Sequence, residues 1–215
     1  MKLKFTLSKT RVWILRLCHR FSTLEDNMGA ITTPLPVKAI IGVLTAAPDL
    51  LPTVYTELTH RLGAIDYVSE LMPFTSTLYY ETEMGPDIQR QFISFERLVD
   101  AGTLAEMKLF TNSVEQTFAV RKAETNARRV NLDAGYICLA KLVLASTKDH
   151  AHRIYLSDGI YAEITLRFYR KTFQPWEWSY PDYRLPTYIA IFNHIRRIYR
   201  NQLENQLPPV EGQDL

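Results

Sequence analysis

Asp149-His-Ala-His-Arg-Ile-Tyr-Leu-Ser-Asp-Gly-Ile-Tyr-Ala-Glu-Ile-Thr-Leu-Arg-Phe-Tyr169 reads as a β-hairpin. Two runs of β-branched and aromatic residues flank Ser157-Asp158-Gly159, a turn signal that ends on glycine. A two-residue loop would set Tyr155 beside Ala162 and Ile154 beside Glu163, mixing polar and apolar groups on both faces. A three-residue loop with Gly159 left-handed sorts them. His152, Ile154 and Leu156 then share a face with Ile160, Ala162, Ile164, Leu166 and Phe168. The opposite face carries Arg153 and Tyr155 against Tyr161 and Glu163, with Thr165, Arg167 and Tyr169 beyond, and Arg153 and Glu163 become direct cross-strand neighbours.

Immediately upstream, Leu139-Ala-Lys-Leu-Val-Leu-Ala-Ser146 has no decisive period. Its Ala, Leu and Lys content favours a helix, with a buried strand as the alternative, and Ala134-Gly135-Tyr136 is expected to turn into it. Downstream, Phe173-Gln-Pro-Trp-Glu-Trp-Ser-Tyr-Pro-Asp-Tyr183 is an aromatic, proline-rich loop. Pro186 suits the first turn of a last helix that buries Tyr188, Ile191, Phe192, Ile195, Ile198, Tyr199 and Leu203 and leaves Arg196, Arg197 and Arg200 wet.

Further out, Val37-Lys-Ala-Ile-Ile-Gly-Val-Leu-Thr45 is a short apolar strand. Asp49 can cap a helix with Leu51, Val54, Tyr55, Leu58 and Leu62 on one stripe and Gly63 at its end. Ile65 to Phe74 and Gln91 to Val99 read as strands joined by the polar loop Tyr79–Pro86. Thr103-Leu-Ala-Glu106 has capping-box spacing, and Leu104, Met107, Phe110, Val114 and Phe118 mark the helix after it. Arg128 to Asp133 makes a fourth, short strand. The order strand, helix, strand, strand, helix, strand predicts an α+β domain with a ferredoxin-like βαββαβ core, extended by the C-terminal hairpin and the final amphipathic helix.

The chain has 215 residues with 25 basic and 23 acidic side chains, net +2, so bulk charge makes no case for nucleic acid. Cys18 and Cys138 are its two cysteines, too few for a disulfide framework or a cysteine zinc site, and a reducing, cytoplasmic setting is the simple expectation. No apolar run is long enough to span a bilayer; the best N-terminal candidate, Val12 to Cys18, is short and broken by Arg16. Residues 1–35 read as a disordered arm or as an extension upstream of a true start at Met28, residues 36–206 as one α+β domain, and 207–215 as a disordered tail.

Tyr80-Glu-Thr-Glu-Met-Gly85, Ser94-Phe-Glu96, Val130-Asn-Leu-Asp-Ala-Gly-Tyr136, Lys141-Leu-Val-Leu-Ala145, Thr147-Lys-Asp149, His152-Arg-Ile-Tyr-Leu156, Gly159-Ile-Tyr-Ala-Glu163 and Tyr180-Pro-Asp-Tyr183 together resemble the bacterial domain of unknown function 4416 family, from about Pro36 to about Leu203. The resemblance implies no activity, and the chain has Ala134 where members usually carry proline. Some relatives bear a GTP-binding label. This chain has no glycine-rich phosphate loop ending in Gly-Lys-Ser/Thr, and Thr147-Lys-Asp149 lacks the spacing of a guanine-reading motif.

The candidate chemistry lies on the polar face of the hairpin. Arg153, Tyr155, Tyr161, Lys148 and Asp133 are expected to bind a small anionic ligand, phosphorylated or nucleotide-like, with Glu163 or Asp182 as the acid–base group of any enzyme. No cofactor is specified. His150 and His152 lack a third ligand at diagnostic spacing, so no metal site is expected. Neither Gly-x-Ser-x-Gly nor a partnered cysteine occurs. The alternative function is a noncatalytic RNA- or protein-interaction module using Trp176, Trp178, Tyr180 and Tyr183 with the basic last helix.

Overall fold

Every residue from Val37 to Thr45 is buried, which is what a strand at the middle of a sheet covered on both faces requires. The computed structural model describes Gly29 and residues 31–122 and 125–206. The expected N-terminal arm, save Gly29 and 31–35, and the tail 207–215 lie outside the described residues, and the architecture below is that of the compact unit from Leu35 onward.

In chain order the elements are β1 (Val37–Thr45), α1 (Leu51–Leu62), β2 (Ile65–Val68), β3 (Met72–Pro73), α2 (Glu81–Met84), β4 (Gln89–Val99), α3 (Leu104–Thr117), β5 (Val120–Lys122), β6 (Thr125–Ala127), β7 (Val130–Ile137), β8 (Lys141–Ser146), β9 (Ile154–Ser157), β10 (Ile160–Tyr169), β11 (Thr172–Pro175) and α4 (Pro186–Gln206). The fold is mixed α+β, with four described helices. The main sheet runs β11-β10-β8-β7-β1-β4-β2, with β3 on β4 and β9 on β10, while β5 and β6 form a separate ladder. All these pairings are antiparallel.

Alternation along the strands sorts the core into two layers. Ala39, Ile41, Val43, Ile93, Phe95, Leu132 and Val143 pack against Val54, Leu58 and Leu62 of α1 and Leu104, Met107 and Val114 of α3. On the other face Ile40, Phe92, Ile137, Leu142, Leu144 and Leu166 meet Phe173, Tyr183 and the α4 residues Tyr188, Phe192 and Ile195. Phe92 sits edge-on to Tyr188 and Phe192, each at 4.8 Å. Helix α4 buries Tyr188, Phe192, Ile195, Tyr199 and Leu203, five of its seven expected positions.

The wholly buried Lys38 anchors α4 from below: its ammonium pairs with Asp66 and donates to the Phe95 carbonyl and to Gln202 Oε1, each at 2.8 Å. Arg196, expected to be wet, is half-buried instead. It donates from Nε to the Leu139 carbonyl at 2.8 Å and lies 3.4 Å over the Phe168 ring, and burial lowers its pKa to about 10.

Several local expectations are corrected. Leu139–Ser146 is no helix: Lys141–Ser146 is β8, inserted between β7 and β10. Both its faces are buried, so its sequence carries no alternation to betray it. Ala134-Gly135-Tyr136 does not turn but continues β7, opposite Ile41, Ile40 and Ala39 of β1. The fourth strand is therefore longer than expected. The second strand is shorter: Ile65–Phe74 divides into β2 and β3, both on β4.

Thr103 makes no side-chain cap. Its hydroxyl donates to the Asp100 carbonyl at 2.8 Å, and Asp100 Oδ1 instead accepts from the Gly102 N–H at 2.6 Å.

The hairpin turn has two residues, Asp158 at φ 51° and Gly159 at φ 75°, both left-handed. Ser157 faces Ile160, and a bulge at Leu156 then restores the register expected for the longer loop, with Tyr155 opposite Tyr161 and Ile154 opposite Ala162.

Gly135 is the glycine with least room for a side chain. A Cβ there would lie 2.5 Å from the Val143 carbonyl oxygen and 2.6 Å from Leu144 Cδ2. Because the nearer obstacle is backbone, Gly135→Ala is expected to destabilise by about 1–3 kcal/mol, read as a lower urea midpoint at an unchanged slope.

Candidate functional site

Strands β7 and β8 stay paired for three residues only, Gly135 to Ile137 against Leu144 to Leu142. Beyond Gly135 they part, β7 remaining on β1 while β8 follows β10, and the sheet forks. The freed edge of β7 needs hydrogen-bond partners. Helix α3 supplies them: Glu115 Oε1 accepts from the Leu132 N–H at 2.7 Å, and Lys108 Nζ donates to the Leu132 carbonyl at 2.9 Å.

Asp133, the next residue, lies on the opposite face and is the hub of a polar cluster at this end of the sheet. Its Oδ2 accepts from Arg90 Nη1 at 2.9 Å and its Oδ1 from Asn131 Nδ2 at 2.8 Å. Arg90 Nη2 donates in turn to Asp182 Oδ2 at 3.0 Å. Asn131 Oδ1 accepts from Arg128, whose guanidinium grips both oxygens of Glu83 from α2 at 2.8 and 2.9 Å.

Arg90 is buried among the rings of Phe74, Phe92 and Tyr183, 5.2–5.7 Å away. Gly42 of β1 makes the room: a Cβ there would come within 3.1 Å of both Arg90 Nη1 and the Tyr183 hydroxyl. Two buried atoms of this cluster, Arg90 Nε and the Tyr183 hydroxyl, have no partner among the described residues. Native interiors leave few such groups, and those they leave mark water, ligand or functional strain.

The two carboxylates beside Arg90 are driven apart. Burial alone would raise the Asp133 carboxyl, but Arg90, Lys108 and the Asn131 hydrogen bond outweigh it and hold the pKa below the ordinary value. For Asp182 burial prevails: with the like charge of Asp133 it exceeds the attraction of Arg90, and the pKa rises. Opposed shifts in neighbouring carboxyls are the arrangement that separates a base from an acid. Asp133 is also the more open of the two, with its side chain 26% exposed against 6%.

The hairpin residues form a second network on the same face. Arg153 and Glu163 meet as expected, Nε to Oε2 at 3.0 Å, but neither is wet: each side chain is 2% exposed. Arg153 spends its other donors on Ser146 Oγ at 2.8 Å, the Lys148 carbonyl at 2.9 Å and the Tyr180 hydroxyl at 2.6 Å. Glu163 Oε1 accepts from Thr165 at 3.2 Å. Tyr155 and Tyr161 stand outboard, edge to face at 5.4 Å. The Lys148 ammonium lies 5.0 Å over the exposed Tyr79 ring.

Of the seven expected site residues, the fork gathers Asp133 and Asp182 directly around Arg90. Arg153, Glu163 and Lys148 lie in the adjoining network and loop, and Tyr155 and Tyr161 lie beyond it. Tyr183 was named only for the alternative interaction module, and Arg90, Asn131, Tyr80 and the Arg128–Glu83 pair were not anticipated. Arg90 could have been: it shares its alternation in β4 with the core residue Phe92.

His152, expected on the apolar face, brings Nε2 within 3.1 Å of Glu163 Oε2. It belongs to a stack of His150, His152, Trp178 and Trp176, spaced 5.7, 5.6 and 5.1 Å, that Arg167 closes 4.4 Å over Trp176. The faces of Trp176 and Trp178 are thus taken by neighbours. Trp178 Nε1 donates to the Ile164 carbonyl at 3.1 Å, pinning the loop to the stretch of β10 between β9 and β11. Among the described residues no group of three His, Cys, Asp or Glu is placed to hold a metal, and no helix is long and apolar enough to cross a membrane.

The family model described as domain of unknown function DUF4416 matches residues 35–199. The chain belongs to the DUF4416 family. No curated protein and no solved structure matches it. Tyr80–Gly85, Val130–Tyr136, Gly159–Glu163 and Tyr180–Tyr183, distant in sequence but all within the matched range, supply Glu83, Asn131, Asp133, Glu163, Tyr180 and Asp182 to the two polar networks at the fork.

The opposed shifts give opposed pH dependences. Asp133, depressed, contributes stability that is present above its unfolded pKa of ~3.9 and lost as pH falls through the lower folded value. Asp182, raised, contributes below ~3.9 and loses that contribution as pH rises through its higher folded value. Relative to the parent, Asp133→Asn should therefore lose stability on going from acid to neutral pH and Asp182→Asn should gain. Urea denaturation across that range should give slopes of opposite sign.

Proposed function

We propose that this DUF4416 protein binds a small anionic ligand, phosphorylated or nucleotide-like, at the polar end of the sheet where β7 and β8 part. What carries the reading is the buried Tyr183 hydroxyl left without a partner among the described residues, beside Arg90 and the partly open Asp133. A cluster with a purely structural task would be expected to satisfy it.

The ligand class follows from the groups still free to act. The guanidinium groups of Arg128 and Arg153 are engaged by protein acceptors, so the anionic group is assigned to Lys148, whose ammonium has no acidic partner among the described residues. Burial, together with nearby Asp133, raises the Tyr80 pKa, and burial raises that of Tyr180, so both phenols stay protonated and available as donors. Asp133, ionised, accepts from a ligand hydroxyl or amine. A phosphate carried on a hydroxylated frame meets all three needs.

If the site is catalytic, Asp182 is the acid and Asp133 the base, since their environments separate their protonation states. Glu163 then acts through Arg153 to place Tyr180. This reading assumes a cytoplasmic protein, in keeping with two cysteines in 215 residues. It also takes the central strands as a ferredoxin-like core, supported by the spatial order β7-β1-β4-β2 with α1 and α3 as the two connecting helices.

Thermal-shift screening of sugar phosphates and nucleoside mono- and triphosphates tests the proposal. A ligand at ~100-fold its Kd adds about 2.7 kcal/mol, which for a chain of this size is a rise of several degrees. At least one compound should give such a rise with the parent, diminished in both Lys148→Ala and Asp133→Asn. No response across the panel, or one that both substitutions leave unchanged, would remove the site.

A further inference from the structure

Strands β8 and β10 set two cations directly opposite each other. Their register places Lys141 against Arg167, and like charges so placed on one face of a sheet are destabilising. Among the described residues neither cation is in an ion pair. Glu163, the acidic residue of β10, points to the other face and is spent on Arg153 and His152. Arg167 lies 4.4 Å over the Trp176 ring and 5.7 Å from that of Tyr169. A guanidinium stacked on a ring keeps its fork of N–H donors, which lies in its own plane, free for a carboxylate.

This pair stands at the end of an apolar groove. The next residue on the same face of β8 is Val143, and the register extends that row to Tyr136 of β7 and Ile164 of β10. These three, with Ala162, Trp178 and Lys141 itself, are among the residues lining a shallow groove of about 220 Å³. The cover given by α1 and α3 runs out across it: Val143 belongs to their core, whereas Ile164 is 38% exposed. Trp178 is stacked with both His152 and Trp176, so it turns its edge to the groove. The edge of an aromatic ring is the positive part of its quadrupole and attracts the face of another ring.

We propose that this groove binds an aromatic carboxylate, the ring lying over Val143 and Ala162 against the edge of Trp178, the carboxylate meeting Lys141 and Arg167. An apolar lining with a few convergent polar groups is the usual make-up of a small-molecule site. A carboxylate conjugated to a ring is coplanar with it, which suits a shallow groove with cations at one end. The ligand thereby supplies the counter-ion that β8 and β10 lack. The site is separate from the fork: Val143 and Ala162 lie on the face that carries α1 and α3, and Asp133 lies on the other.

Amide chemical-shift titration of the full chain with naphthoate tests this. Saturable shifts should centre on β8 and β10. Naphthamide, which keeps the rings and loses the charge, and octanoate, which keeps the charge and loses the rings, should each bind about tenfold more weakly. Lys141→Gln and Arg167→Gln should each weaken naphthoate about tenfold and leave the naphthamide affinity unchanged, while Lys148→Ala should bind naphthoate as the parent does. Without ligand, Lys141→Gln should have a higher urea midpoint than the parent, because it relieves the like-charge pair. Ala162→Leu, which fills the groove, should abolish the shifts and gives an independent measurement should a charge variant fail to fold. Absent shifts, shifts centred elsewhere, equal affinity for either analogue, naphthoate binding that survives both Gln substitutions or the Leu substitution, or a lowered midpoint in Lys141→Gln would each overturn the proposal.

Discussion

The close approach of β7 and β8 at Gly135 decides what the far end of the sheet can hold. With no Cβ at this position, the Val143 carbonyl and the Leu144 side chain fold in over β7, and the two strands pair for only three residues before separating. A continuous ladder would have consumed the Leu132 backbone and closed the sheet. The parting instead leaves a polar gap that α3 fills from one side with Lys108 and Glu115. From the other side it is lined by Asp133 and Asn131 of β7 and by Ser146 of β8, which anchors Arg153. The parting of two strands just beyond Gly135 thus makes room for an ionisable cluster, and the cluster carries the only chemistry proposed for this chain.

Buried charge on this scale is costly unless every ion is paired. The interior meets the cost by chaining the ions through one neutral amide: Asp182, Arg90, Asp133, the Asn131 amide, Arg128 and Glu83 follow one another through hydrogen bonds of 2.8–3.0 Å. Lys38 does the same at the other end of β1, tying β2 and α4 to the sheet. The two sites differ in one respect that matters. The Lys38 ammonium has three acceptors for its three donors, whereas the Arg90 cluster leaves Arg90 Nε and the Tyr183 hydroxyl unanswered among the described residues. A fully satisfied ion network fixes structure; the open valences beside a partly exposed carboxylate are what the proposed ligand site rests on.

What could be read from the sequence followed how local the determining physics was. The hairpin register was legible beyond its turn because alternation and Gly159 are local signals, and a bulge at Leu156 compensated for the misjudged loop length. The stripes of α1, α3 and α4 were legible for the same reason. Strand β8 was not, because burial on both faces erases alternation and leaves only the helix-favouring Ala, Leu and Lys content. Nor was the wetness of a strand face. Arg153 and Glu163 were correctly made neighbours, yet both are buried, and Arg153 is tied to Tyr180, 27 residues downstream. In the same way Asp133 and Asp182 could be named singly, but the arginine between them comes from β4, and nothing local announces such a junction.

Tyr180 carries the last step, because it joins the two networks. Its hydroxyl accepts from Arg153, its ring lies 6.4 Å from that of Tyr183, and the charge of Asp133 adds to the burial that raises its pKa. The aromatic loop that bears it is held by the stacked tryptophans and by Trp178 on the Ile164 carbonyl, so the position of Tyr180 is set from the β10 edge, outside the cluster it borders. The saturated stack and the polar fork therefore belong to one mechanism of placement. The stacked rings bracket the loop, and the loop sets the Tyr180 phenol, its pKa raised, beside the cluster in which Arg90 holds the Asp133 pKa below its ordinary value. Under the proposed function, donor and acceptor would be positioned before a ligand binds, so that little binding free energy goes into ordering the protein.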